Sequence, residues 1–449
     1  MNSTIQNKVR IGSGAGYSGD RIEPAVELAE QGDLDYLVFE CLAERTIAIA
    51  LKSKREDPGM GYDPLLEERM VASLPVCNSK GIRIITNMGA ANPVSAMQKT
   101  VEIARELGLK GMKIAAVSGD DVLELISRGN FRTMEAGEDL ETIKDRIVSA
   151  NAYLGAGPVV EALEHGARVI ITGRVADPAL FMAPAIYEFG WSFTDWDLLG
   201  KGTIMGHLLE CAGQITGGYF ADPGISDVPG ITRLGFPLAE ITADGTYIIT
   251  KAPGAGGMVT TDTCKQQLLY EVGDPSTYIS PDVVADFSKV SLRQIEKDRV
   301  EIKGGTGRQK TDSFKVSVGY RDSFIGEGQI SYGGPGALQR AELALKIIKQ
   351  RFKDMGLKYQ EAKFDIIGIN SLYGDRGHLS EPYELRVRVA ARTNSMKEAV
   401  RVGNEVETLY TNGPAGGGGA TKSAREIIAI KSVLVDSNLV KPEIQYMEV

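Results

Sequence analysis

The stretch IGSGAGYSGDRIEPA, residues 11–25, decides how the first half of the chain is read. It continues the apolar run KVRIGS (8–13) and leads into a helix candidate at 22–31, so it sits where a strand hands over to a helix. Gly14-x-Gly16-x-x-Gly19 has the spacing of a dinucleotide-binding turn, and Glu40 lies where a ribose-binding acid belongs. Asp20 and Arg21 follow at once. An Asp at a helix start can cap it, and its charge would occupy or repel the anion position that a pyrophosphate needs. Three readings stay open: a cofactor cradle, a tight turn closed by a capping Asp, and a substrate site touched by Asp20 or Arg21. Nicotinamide or flavin binding is the least favoured.

Outward from this turn, short apolar runs recur at 8–13, 35–40, 82–87, 112–118 and 168–174. Helix candidates fill the intervals at 22–31, 41–54, 64–80, 94–108, 138–152 and 157–166. That alternation predicts βαβ units and an α/β fold, a doubly wound, mainly parallel sheet with helices on both faces. After about residue 230 the pattern changes. GFPLAEITADGTYIIT (235–250) reads as a hairpin around Asp244-Gly245. Strands are expected at 312–320, 324–332 and 383–391, and long helices at 336–356 and 395–411, an α+β arrangement. The Pro/Gly-rich stretch ADPGISDVPG (221–230) suggests two domains, 1–228 and 229–449.

Composition narrows the function. A net charge of −9 argues against nucleic acid and against an anionic membrane surface. No apolar run is long enough to span a membrane, and the start MNSTIQNKVRIGSG lacks the layout of a secretory signal, so a cytoplasmic protein is expected. Cys41, Cys77, Cys211 and Cys264 stand far apart, which disfavours a disulfide framework or a thiolate zinc site. The three histidines, His165, His207 and His378, form no cluster. No metal ligands are assigned, although a carboxylate-held Mg²⁺ stays open and the cofactor is unknown.

Ligands of open α/β sheets bind beyond the carboxyl ends of the strands. The residues just past the five runs are Gly14, Gly16, Gly19, Asp20 and Arg21; Glu40; Asn87, Gly89 and Asn92; Asp120; and Arg174 and Asp177. Together they suggest one polar crevice. If 204–211 is helical, His207 and Glu210 share a face, with Gln214 just beyond. Such a pair suits acid–base work, or a buried helix with a hydrogen-bonded His. The second half carries glycine-rich loops, notably NGPAGGGGATKSA (412–424), in which amides and Lys422 could hold an anion or the glycines could simply turn the chain.

The segments GAGYSGDR, TNMGAANP, NAYLGAGPVVEAL, ITGRVADPALF and GHLLECAGQITGG together resemble the acyclic terpene utilisation AtuA family, long labelled a domain of unknown function. The resemblance covers nearly the whole chain, and GRVADP and ECAGQITGG are its most specific parts. It implies a catabolic protein acting in the breakdown of acyclic branched acids, often as CoA thioesters. Some longer members carry an extra ferredoxin-like domain, which raises a small ferredoxin-like partner subunit as an expectation here.

The resulting expectation is a lyase, a hydratase or dehydratase, acting on a small branched carboxylic acid or its CoA thioester. Adding or removing water beside a carboxylate needs an acid, a base and a cationic clamp. Asp20, Asp177, His207 and Glu210 are the acid–base candidates, and Arg21 and Arg174 the clamps. The alternatives are an NAD(P)-dependent oxidoreductase using the glycine turn and a non-catalytic accessory subunit. A homo-oligomer is expected.

Overall fold

The computed structural model describes residues 8–374, 377 and 382–449; the first seven residues and His378 lie outside them. The described chain forms two compact units, one comprising the residues up to Gly319 together with Ile430–Val449, the other Tyr320–Ala429.

The five apolar runs of the first half become β1 (Val9–Ala15), β2 (Tyr36–Phe39), β3 (Arg83–Thr86), β4 (Lys113–Ser118) and, after β5 (Ile147–Ala152), β6 (Val169–Thr172). They pair in parallel in the order β1-β2-β3-β6-β4. Leu37, Phe39, Ile84, Ile114, Val169 and Ile171 pack on one face with helices Glu23–Gln31, Leu66–Lys80 and Pro93–Glu106. Helices Gly157–Glu164 and Asp177–Phe189 cover the other face. Burial on both faces is why these strands read as continuous apolar runs rather than alternating ones.

The hairpin predicted at 235–250 forms as β7 (Pro237–Ile241) and β8 (Tyr247–Lys251), turning at Gly245, whose φ of +74° favours glycine. It joins the same sheet, antiparallel to β1. Beyond it come β9 (Tyr278–Ile279), β10 (Val284–Asp286), β11 (Ser291–Glu296), β12 (Arg299–Lys303) and β13 (Thr306–Arg308). Strands β11 and β12 extend the large sheet, and β9, β10 and β13 make a small one.

Two expectations change. Residues 138–152 are not a helix: Leu140–Arg146 is a 3-10 turn and Ile147–Ala152 is β5. The β-branched Ile147 and Val148 favour the extended form, and Tyr153 N, just past β5, donates to Lys315 O. The strands expected at 312–320 and 324–332 are one 21-residue strand, β14 (Ser313–Gly333).

The second unit contains the rest of β14, helix Ala337–Asp354, β15 (Glu361–Ile367), β16 (Glu384–Thr393), helix Met396–Glu407 and the start of β17 (Gly418–Asp436). The βαββαβ succession with strand order β15-β16-β14-β17 is a ferredoxin-like arrangement, so this chain holds one inside its own length. Ile330, Tyr332, Leu345, Ile348, Val387 and Val389 form its core. The last strand, β18 (Glu443–Glu448), pairs antiparallel with β4 at the edge of the large sheet. Among the described residues no helix is long and apolar enough to cross a membrane.

Candidate functional site

The glycine turn folds back on itself. Asp20 Oδ2 accepts from Gly16 N (2.9 Å) and Oδ1 from Arg21 N (2.8 Å), so the carboxylate fills the loop's own amide nest. Asp20 does not cap the following helix, which begins at Glu23 with Ile22 at its N-cap position. Gly16 lies against the backbone of Cys211, where an added Cβ would come within 2.5 Å of the Cys211 carbonyl carbon, and Gly14 lies against the Phe39 ring. Both glycines serve close packing. The loop's carbonyls face a buried cation that sequence reasoning missed: Arg69 Nη2 donates to Ser18 O (2.8 Å) and Asp20 O (3.0 Å), while Nη1 donates to Asp63 Oδ1 (3.2 Å). Arg21 points outward, 3.7 Å from Glu23.

A charged cluster collects instead at the carboxyl ends of β2, β3, β4 and β6. Arg174 is 1% exposed. Its Nη2 donates to Leu42 O and its Nη1 to Asp177 Oδ1 (3.2 Å), while its backbone N–H donates to Asp120 Oδ2 (3.0 Å). Glu40 Oε1 accepts from Leu42 N (2.8 Å) and Asn87 Nδ2 (2.9 Å), and Asn87 Oδ1 accepts from Cys41 N (2.7 Å). Asn151 Nδ2 donates to Asp120 Oδ2 at 2.8 Å. Helix Trp196–Glu210 brings His207 Nδ1 to 2.9 Å from Glu210 Oε1, off the line of a straight hydrogen bond, while His207 Nε2 meets Gln267 O at 2.9 Å.

Burial sets the protonation of this cluster. It raises the Glu40 carboxyl above the usual range, against the opposing hydrogen bonds of Asn87 and Leu42 and the charge of Arg174, with Glu210 adding to the rise. Asp177 is raised further, first by burial and then by Glu40, although Arg174 opposes; its carboxyl keeps about a third of its surface open toward a pocket. Asp120 is pushed up to about 6 by burial. Burial works against the charged form of His207, but Glu210 and the carbonyls of Gln267 and Leu268 outweigh it, and the pKa is raised. Strain gathers here too. Ala90 and Ala212 are buried and left-handed (φ +46° and +41°) without being glycine, a conformation costing about 1–3 kcal/mol each.

The pocket has a volume near 420 Å³, within the range of small-molecule sites. Asp177, Tyr153 and Lys315 line it on the polar side; Met134, Ile279 and Leu434 are among its apolar walls. The Tyr153 ring lies 4.7 Å from the Arg174 guanidinium and 5.2 Å from Lys315 Nζ. Glu44 Oε1 accepts from Lys315 Nζ (2.7 Å), Tyr153 O–H (2.9 Å) and Ser317 O–H (3.2 Å). Burial would raise the Glu44 carboxyl, but these partners, Lys315 foremost, bring it below the usual range. A roomier hollow, near 620 Å³, lies over helix Glu23–Gln31 and shares no residue with this cluster.

The structure thus brings Glu40, Asn87, Asp120, Arg174 and Asp177 together, with His207 and Glu210 coupled to them. Gly89 packs against Thr172 O and Pro93, and Asn92 is tied to Pro58 O and Met60 O. Gln214 Nε2 is buried without a hydrogen-bond partner. Lys422 lies in the second unit on β17, not in a loop, and its ammonium takes Asn404 and Glu407. Sequence reasoning missed Glu44, Tyr153 and Lys315. Tyr153 stood inside the NAYLGAGP segment, but Lys315 is 271 residues from Glu44 and carries no local signal. Among the described residues no group of three or more His, Cys, Asp or Glu is placed to hold a metal ion.

The model of the acyclic terpene utilisation family protein AtuA matches residues 9–446, taking in every residue of this cluster. The chain belongs to that family. No curated protein matches this AtuA-family chain. A homoserine dehydrogenase from Thiobacillus denitrificans aligns with 89% of it and 83% of its own length at 11% identity, with a TM-score of 0.15, and supports no argument about fold or chemistry.

Proposed function

We propose that this AtuA-family protein, whose family gives it a catabolic role in acyclic terpene utilisation, is a hydro-lyase acting on a small branched carboxylic acid or its CoA thioester. The observation that carries the reading is Asp177: a carboxyl held toward its neutral form, facing an apolar-walled pocket that also presents Lys315. Opposite shifts in neighbouring carboxyls mark an acid and a base. Asp177 is raised and Glu44 is lowered, and the charges of both act on Tyr153. In the hydration direction, Asp177 delivers a proton to the carbon beside the carboxyl while water adds one carbon further out and gives its proton toward the Glu44 side. Lys315 offsets the negative charge that grows on the substrate's oxygens. Arg174 holds Asp177 in place, and Arg174 and Glu40 act in opposite senses on its acidity. The dinucleotide reading is less well supported, because Asp20 already accepts from Gly16 N and Arg21 N.

The test is NMR of branched 2-unsaturated acids and thioesters incubated with the protein in D₂O. Hydration with deuterium entering beside the carboxyl is expected, and it should vanish in Asp177→Asn. Absence of hydration and exchange across the series would overturn the proposal.

A further inference from the structure

We infer that the pocket takes its ligand as the free carboxylate, seated on the Lys315 ammonium, with the hydrocarbon part against Met134, Ile279, Pro281 and Leu434. This rests on the proposed function for the identity of the site, but not for its test.

Among the described residues lining the pocket, Lys315 alone carries a positive charge. Its side chain is 42% exposed, and one of its three N–H donors goes to Glu44 Oε1. The Tyr153 ring lies beside the ammonium and adds a cation–π contact that holds it at this wall. Three hydroxyls of the lining are already spent as donors, Tyr153 on Glu44, Ser280 on Val283 O and Thr311 on Ser313 O, which leaves those of Tyr278 and Ser313. A carboxylate meets a held cation with donors to spare and gains a charge-assisted hydrogen bond between two ions, stronger than the one a neutral carbonyl or amide would make there.

Charge bookkeeping points the same way. Glu44 balances one positive charge and is kept ionised by Lys315. Asp177, raised by burial and by Glu40 and paired with Arg174, opposes an incoming carboxylate less than an exposed, unpaired aspartate would. The buried Arg174 adds a second positive charge behind the Tyr153 ring. The wall is thus prepared for one extra negative charge. The phosphates of a CoA thioester would need further cations, and the described residues of the lining supply none.

The experiment is calorimetric titration of the whole protein with 3-methylbutanoate, 4-methylpentanoate and 5-methylhexanoate, each beside its primary amide, and with 3-methylbutanoyl-CoA. At least one acid should bind ten times or more tightly than its amide and than the thioester. Lys315→Met should remove that preference, and Lys315→Arg should keep most of it, which separates lost charge from a damaged fold. Equal affinity of acid and amide, tighter binding of the thioester, an unchanged preference in Lys315→Met, or no binding of any acid would overturn the inference. Acid binding without hydration would sink the hydro-lyase reading alone. Thioester hydration without acid binding would sink this inference alone.

Discussion

Arg174 Nη1 donates to Asp177 Oδ1 across 3.2 Å, and the other arm of the same guanidinium is held by Leu42 O. Both terminal nitrogens are therefore engaged inside the protein, while Nε is buried without a partner among the described residues. The fork ties the end of β6 to the start of helix Asp177–Phe189 and to the segment after β2. A lysine has one point of charge where arginine has a planar fork, so it can serve Asp177 or Leu42 but not both with the same geometry. Arg174→Lys should lower kcat/KM by about 2–4 kcal/mol of transition-state stabilisation, because Asp177 loses its fixed position. Steady-state kinetics beside a thermal melt decides it: near-normal turnover with an unchanged melt would refute the positioning role.

The acidity of Asp177 depends on its neighbours in a way that fixes the sign of a second outcome. Burial raises it first, and the charge of Glu40 raises it next. If neutral Asp177 is the proton donor, hydration falls as pH rises through its pKa. Glu40→Gln removes one of the charges that raise it, so the alkaline limb of the pH–rate profile should move to lower pH. Asp177→Asn should abolish turnover by at least about a hundredfold, the scale of a lost general acid. An alkaline limb that stays put in Glu40→Gln would separate Glu40 from the titration.

Much of this was readable before the fold was known, for physical reasons that differ by element. The five parallel strands announced themselves because they are buried on both faces, as Leu37, Val38, Ile170 and Ile171 show at 0% exposure. Their carboxyl ends then pointed to Glu40, Asn87, Asp120, Arg174 and Asp177 through the switch-point rule alone. The glycine turn misled because close packing and phosphate binding ask for the same residue. Gly16 is there for the Cys211 backbone, and nothing in its spacing says so. Lys315 was invisible because its site partners are far away in sequence and β14 gives it the look of an ordinary strand lysine.

Two buried aspartates give the stability an unusual pH dependence. Asp120 holds the Arg174 N–H and Asp282 holds the Ala156 N–H, and burial pushes each up to about 6 from the ordinary 3.8. A group whose folded pKa lies above its unfolded value contributes stability that is complete below the unfolded pKa and lost as pH rises through the folded one. Each shift corresponds to about 3 kcal/mol at most. His207, also raised, acts in the same direction near neutrality. The unfolding free energy should therefore climb as pH drops from about 7 to about 5, and Asp120→Asn or Asp282→Asn should flatten that slope. Urea titrations at three pH values test it; a slope of the opposite sign, unaltered by either substitution, would rule it out.

The glycine turn supplies the last prediction, because packing and cofactor cradling make different demands on Gly16 and Gly19. A methyl group at Gly16 would come within 2.5 Å of the Cys211 carbonyl carbon, a backbone atom that cannot swing aside. At Gly19 it would meet the edge of the Tyr17 ring at 2.9 Å, and that ring is 60% exposed and free to rotate away. Gly16→Ala should therefore cost about 1–3 kcal/mol, as overpacking usually does, and Gly19→Ala should stay within about 0.5 kcal/mol of the parent. A dinucleotide cradle predicts something else: both substitutions would weaken NADH binding, and Asp20→Asn, by removing the charge that now fills the amide nest, would strengthen it. Melting curves of the three variants, with NADH fluorescence titrations alongside, separate the two. Micromolar NADH affinity in the parent protein, reduced by Gly19→Ala, would overturn the packing account and make Glu40 the ribose partner.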